Sequence, residues 1–177
     1  QFNWLTIVLG ISSIVIAFAY PFMKRITYWP QLFLGLTFNW GIIMGWTSIT
    51  NSISTEPVIL YLAAIFWTLG YDTIYGLQDI RDDEIIGVKS TSIKFKNNVK
   101  IFVGTCYSMC VFLILIMFFT MEINKYLLLL IIPFIVSFVY QVKIFKVFNS
   151  ESCLLAFKNN NLIGSLIFIF IFSFNIL

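Results

Sequence analysis

YDTIYGLQDIRDDEIIGVKS, residues 71–90, sets Asp72, Asp79, Asp82, Asp83 and Glu84 into one short stretch of a chain that is otherwise almost wholly apolar. The 177 residues are 60% hydrophobic and 11% charged, where a water-soluble domain carries roughly 25% charged residues. A mean hydropathy of +0.94 places the chain in a bilayer. The acidic stretch therefore has to be explained against a greasy background, and its reading decides both architecture and chemistry.

Working outward, apolar runs between polar breaks predict six membrane helices, at Trp4–Tyr20, Gln31–Trp46, Pro57–Leu77, Ile101–Thr120, Tyr126–Val142 and Asn161–Leu177. Pro21 and Pro30 bracket the first connection, and Pro57 suits the first turn of a helix. No repeat or low-complexity linker interrupts the chain, so residues 1–177 read as one all-α membrane domain. Threading six crossings puts every one of the 11 basic residues except Lys125 on one side. That asymmetry marks the side as cytoplasmic, and the acidic stretch lies there. The chain opens on Gln1 with a helix almost at once, and we expect a further N-terminal part upstream.

Composition also removes chemistries. With no histidine present, imidazole acid–base catalysis, His-based metal sites and Ser/His or Cys/His nucleophiles are absent from this sequence. Cys106, Cys110 and Cys153 form no CxxC pair, and Cys106 and Cys110 share one apolar helix face, which reads as packing. Carboxylates, Lys, Arg, Tyr and a bound ion are left to do any chemistry, and no nucleic-acid partner is expected.

If the third helix continues through Asp83 at about 100° per residue, Asp72, Tyr75, Asp79 and Asp83 share an arc of roughly 80°. Asp82 lies at the edge of that arc and Arg81 opposite. Asp72 sits a turn or more inside the apolar run, where an acid costs on the order of 2.5–3.5 kcal/mol and is usually functional. Asp79 and Asp83, about 6 Å apart along the axis, repel each other unless a cation lies between them. A hard divalent ion resolves this: magnesium takes oxygen ligands and completes its shell with water and substrate phosphates. The competing reading is a solvated helix end, to which Asp82 and Glu84 are as well suited.

The spacing DxxYxxxDxxxD at Asp72, Tyr75, Asp79 and Asp83 resembles the second aspartate-rich motif of the UbiA family of intramembrane prenyltransferases. AYPFMKRITYWPQ, YDTIYGLQDIRDDEIIGVKST and CLLAFKNNNLIG together resemble its 4-hydroxybenzoate polyprenyltransferase branch, in ubiquinone biosynthesis. The resemblance covers essentially the whole chain. It implies a nine-helix bundle, six of whose helices are present, with two aspartate-rich motifs holding Mg2+ on a polyprenyl diphosphate. No NDxxDxxxD stretch occurs here, so half of that metal site is missing and the chain alone is expected to be inactive.

On this reading Asp72, Asp79 and Asp83 are the metal ligands, with Asp79 and Asp83 the primary pair. Tyr75 orients a carboxylate or phosphate oxygen, or else merely packs. Lys24 anchors a helix end or meets the diphosphate. Arg25 is favoured by the resemblance as the bidentate partner of the acceptor carboxylate or the diphosphate. Lys89, after the helix stop at Gly87, reaches a phosphate from the loop. Lys94, Lys96 and Lys100 are topological charges, Asn159–Asn161 cap the last helix or bond within the cavity, and Trp29, Trp40 and Trp46 anchor at interfaces. The expected partners are polyprenyl diphosphate, 4-hydroxybenzoate and the lipid bilayer. The expected location is a bacterial inner membrane, with a mitochondrial inner membrane as the alternative. Two other readings compete: another UbiA-type acceptor (a naphthoate, a chlorophyllide or a haem), and a divalent-cation transporter subunit. The latter predicts acids at several depths, whereas seven of the eight acids lie near membrane surfaces and four of them cluster after Leu77.

Overall fold

The computed structural model describes residues 2–121, 128–129 and 131–173. Among them the regular elements are all helices: α1 (Trp4–Ile26), α2 (Pro30–Phe38), α3 (Gly41–Thr50), α4 (Thr55–Tyr75), α5 (Ile80–Ile86), α6 (Thr91–Lys94), α7 (Val99–Thr120), α8 (Ile131–Ile144), α9 (Ser150–Lys158) and α10 (Asn160–Ser173). Five stretches are long and apolar enough to cross a bilayer, namely α1, α2 with α3, α4, α7, and α9 with α10. The shorter apolar helix α8 accompanies them. Lys125, assigned above to the opposite side, lies outside the described residues, as does the expected start of that fifth helix at Tyr126.

Four helix boundaries differ from the sequence reading, each for a backbone reason. Helix α1 runs straight through Pro21 to Ile26 rather than stopping at Tyr20. Proline is tolerated in membrane helices where the neighbourhood re-satisfies the freed backbone. The second span breaks at Asn39, whose side-chain amide donates to Gly35 O at 2.9 Å and Thr68 Oγ1 at 2.8 Å. The third helix does not continue through Asp83. It stops at Tyr75, and Asp79 becomes the cap of the separate helix α5. The last span starts at Ser150, not Asn161, and Asn159 marks a break inside it.

That last difference moves Lys158 and the three asparagines from the membrane surface to about 12 Å inside a span, counting eight residues from Ser150. The asparagines therefore do not cap a surface helix end. Asn160 Oδ1 accepts from Trp67 Nε1 at 3.0 Å and from Gln141 Nε2 at 3.2 Å, while Asn159 donates to Ser137 O at 3.3 Å. Gln141 Nε2 also donates to Ala156 O at 2.6 Å, and the Tyr107 hydroxyl donates to Gln141 Oε1. One buried glutamine thus ties α7, α8, α9 and α10 together in a setting where unmade bonds are expensive.

The core lies between α4 and α7, with Ile74, Leu77, Ile80, Val103, Phe145, Cys153 and Ile163 fully buried. Gly70 lets the two helices close up, since a Cβ there would stand 2.4 Å from Tyr107 Cε1. Small residues at such crossings are what bring membrane helices together. All three cysteines are free and buried, as packing residues would be. Helix α1 leans on the bundle through polar contacts: Asn3 Nδ2 to Thr47 O at 2.6 Å, Thr6 to Thr47 at 3.0 Å, and Trp40 Nε1 to Leu9 O at 2.9 Å. Trp40 is thereby an inter-helix contact rather than an interface anchor.

The basic residues of three connections gather at one end of the bundle. Arg81 and Lys96 both lie over the Phe148 ring, at 5.4 and 5.3 Å, and Lys100 lies over Phe145 at 5.4 Å. Lys94 lies 4.4 Å over Trp29, which keeps its expected place at that end.

Candidate active site

At the basic end, the α4 helix gives out because the chain turns sharply at Gly76. Leu77 N bonds to Ile74 O and Gln78 N to Tyr75 O, leaving the Thr73 carbonyl without its helical donor. Ser92 Oγ takes that carbonyl at 2.7 Å, and a Cβ on Gly76 would stand only 2.6 Å from the same Oγ. The Thr73 and Thr91 hydroxyls meet at 2.6 Å, and Thr91 N donates to the buried Gln31 Oε1 at 3.0 Å. A polar clamp of α2, α4 and α6 therefore fixes the turn that aims the acids. Nothing in the spacing of Gln31, Thr73, Thr91 or Ser92 identified them beforehand. Their only signal was polarity at positions that proved to be buried.

The turn opens a cavity of about 130 Å³ lined by Asp72, Tyr75, Asp79 and Asp83, with Lys24 and Lys89 among the facing residues. Three acids predicted to share one helix face do share one cavity, but from two helices: Asp72 on α4, Asp79 at the cap and Asp83 one turn into α5. Asp83 N bonds to Asp79 O at 2.9 Å, which sets the second helix off from that cap. Gly87 ends α5 in the left-handed conformation, with φ of 78°, as its position after the acidic run suggests.

Lys89 is tied down twice, its backbone N to Lys24 O at 2.8 Å and its Nζ to Ile26 O at 3.2 Å, so the loop ammonium is held beside the cavity. Lys24 lines the cavity; its neighbour Arg25 is exposed and does not. Adjacent helical residues point about 100° apart, so only one of the pair can face inward. Asp82 is exposed at the edge, and Glu84 is engaged by Lys96 at 2.7 Å as a surface ion pair. The Asp83 carboxyl is pushed above the usual aspartate range, first by burial and then by Asp79 and Asp82, with Lys24 opposing.

An aromatic wall leads away from the acids into the membrane region. Tyr75 packs on Phe157 with centroids 4.7 Å apart, Phe157 on Tyr71 at 5.8 Å, and Tyr71 on Trp67 at 5.8 Å. Its far end borders a second cavity of about 310 Å³, lined by Asn39, Trp67, Tyr71, Lys158, Asn160 and Asn161. The break in the last span is what carries these polar groups to that depth.

Could this site hold a divalent ion? Among the described residues no three His, Cys, Asp or Glu side chains come together as a metal cage. The donor set is nonetheless all oxygen, and magnesium commonly uses one or two carboxylates, several waters and substrate phosphates. An open carboxylate cavity flanked by two ammonium groups fits a metal shared with a phosphate, not a closed protein cage.

With that geometry in hand, the likenesses to known proteins are informative. The UbiA prenyltransferase family matches residues 1–172. A 4-hydroxybenzoate octaprenyltransferase of Aliivibrio fischeri is 40% identical over 167 residues, 94% of this chain and 58% of that protein. A mitochondrial 4-hydroxybenzoate polyprenyltransferase of Arabidopsis thaliana is 53% identical over 102 residues, 57% of this chain and 25% of that protein. The chain thus spans little more than half the length of the bacterial relative. The apo structure of a UbiA homolog from Aeropyrum pernix K1 superposes with a TM-score of 0.73, covering 95% of this chain and 65% of that one at 20% identity, a likeness of fold. A family match over nearly every residue, together with a shared helical architecture, leads to one conclusion: this chain belongs to the UbiA prenyltransferase family.

Proposed function

We propose that the protein transfers a polyprenyl group from polyprenyl diphosphate to the ring of 4-hydroxybenzoate, at the carbon beside the hydroxyl-bearing one, with Mg2+, as a step of ubiquinone biosynthesis. We further propose that the activity needs the length of chain that the bacterial relative has beyond this one. The observation that carries this reading is the convergence of Asp72, Asp79, Asp83, Lys24 and Lys89 on one cavity that opens beside an aromatic wall.

Asp79 and Asp83 would hold the metal, and Asp72 would support it from α4. Magnesium, when bound, supplies positive charge to the diphosphate oxygens. Lys24 and Lys89 stabilise the charge that grows on the diphosphate as the allylic carbon–oxygen bond breaks. Tyr75 presents its hydroxyl to a carboxylate or phosphate oxygen while its ring continues the wall. Tyr75, Phe157 and Tyr71 offer electron-rich faces to the developing allyl cation, an attraction of about 2 kcal/mol or more where water is excluded. Their bulk also keeps water from quenching that cation to an alcohol. The acceptor ring, made electron-rich by its hydroxyl, then attacks the allylic carbon and loses its ring proton. Arg25, at the adjoining surface, offers a bidentate partner for the acceptor carboxylate. Relatives of bacterial and mitochondrial origin are both similar to this chain, and an inner membrane with the acidic end at the cytoplasmic or matrix face suits the reading.

The test uses membranes carrying the full-length protein, supplied with labelled 4-hydroxybenzoate and a polyprenyl diphosphate. Prenylated product is expected with magnesium and none with a chelator, and Asp79→Ala is expected to abolish product. Undiminished turnover in that variant would remove the metal role from these acids.

A further inference from the structure

A groove of about 490 Å³ lies apart from the acidic site. It runs between α7 and α8, with Gly104 and Ser108 on one wall, Val139 on the other and Leu115 at its deep end. Its floor is the Tyr107–Phe138 stack, with centroids 4.1 Å apart, which the buried Gln141 holds in place. That fixed floor spaces the two helices, and a Cβ on Gly104 would meet nothing within 4 Å, so the groove is open rather than filled. From Gly104 to Leu115 is eleven residues, about 16 Å along the axis. That is about half of the roughly 30 Å hydrocarbon core, the depth of one leaflet. At the mouth, on the basic end of the bundle, stands the exposed Lys143.

We propose that this groove binds one anionic phospholipid of the leaflet at the basic end, its acyl chain lying along α7 and α8 and its headgroup phosphate held by Lys143. Charge complementarity selects the occupant. A mainly apolar trough of one-leaflet depth ending on a cation matches a lipid with a negative headgroup, and does not distinguish chains by anything but length and greasiness. One lysine beside an anionic surface contributes about a fivefold preference.

The experiment uses the full-length protein in nanodiscs, doped in parallel with phosphatidylglycerol or phosphatidylcholine bearing a photoreactive group in the acyl chain. Cross-links are mapped by mass spectrometry, and each variant is first checked for thermal stability. Labelling of peptides spanning 104–115 and 135–143 is expected to be stronger from phosphatidylglycerol. Lys143→Gln should reduce that preference about fivefold, and Gly104→Leu, which fills the groove, should remove labelling there but not elsewhere. Equal labelling by both lipids in every variant would overturn the proposal, marking ordinary annular contact. No labelling, because a further helix or a second copy covers the face, would overturn it too. So would displacement of the lipid label by a polyprenyl diphosphate. Loss of prenyl transfer in Asp79→Ala with lipid labelling intact separates this proposal from the functional one.

Discussion

Gly76→Ala tests whether the acidic site depends on the turn that aims it. Gly76 has φ of −67°, open to any residue, so the backbone raises no objection. Alanine there would even gain about 0.4–1 kcal/mol from a less flexible unfolded chain. The obstacle is a single atom, Ser92 Oγ, which would stand 2.6 Å from the new methyl, while the next neighbours lie at an ordinary 3.5 Å. Either that hydroxyl swings away and abandons the orphaned Thr73 carbonyl, or the turn shifts and carries Asp79 with it. Forcing a methyl into a packed site costs about 1–3 kcal/mol, and the lost hydrogen bond about 0.5–1.5 kcal/mol. A displacement of about 1 Å at a reacting centre can cost on the order of 100-fold in rate. The sharp result is the double variant. Ser92→Ala alone loses only the hydrogen bond, and it also removes the clashing atom, so Gly76→Ala should be nearly neutral in that background. Thermal unfolding of the four proteins in detergent, with magnesium-dependent turnover of the full-length forms, gives the cycle. Strictly additive effects, or a Gly76→Ala protein as stable and active as the parent, would refute the clamp.

Other outcomes follow from the same geometry. Because the Asp83 carboxyl is raised, it takes up a proton at a higher pH than a free aspartate, and metal binding and turnover should decline on acidification before the ordinary aspartate range is reached. The sign for stability is opposite: the folded state holds that proton more tightly than the unfolded chain, so Asp83 favours folding as pH falls through its raised value and disfavours it above. Asp83→Asn should weaken metal binding across the pH range, measured by titration calorimetry, and modestly stabilise the metal-free protein. Lys24→Ala should raise the KM for the polyprenyl diphosphate about tenfold or more, while Arg25→Ala should leave that KM alone and raise the KM for the acceptor. Gln141→Leu strips partners from Tyr107, Ala156 and Asn160 and should cost about 2–4 kcal/mol, seen as a lower Tm.

The membrane class, the all-helical architecture and five of the six expected spans could be read directly from the chain. Hydropathy is a local property of about 20 residues and needs no partner to be expressed. An acid at membrane depth is costly wherever the rest of the chain goes. Asp72, Tyr75, Asp79 and Asp83 line one cavity, as their helical angles suggest, but from two helices and not from one continuous helix. The break at Gly76 depends on Ser92 and Thr91, which approach from sixteen and fifteen residues away. The same limit hid the inward placement of Lys158 and Asn160, because only Gln141 and Trp67 on other helices make a polar break at that depth tolerable. It also favoured Arg25 over Lys24, whereas the helix through Pro21 turns Lys24 and not Arg25 to the cavity. Short-range energetics are written in neighbouring letters, whereas the orphaned carbonyls and buried amides that bend these helices find their partners only when distant segments meet.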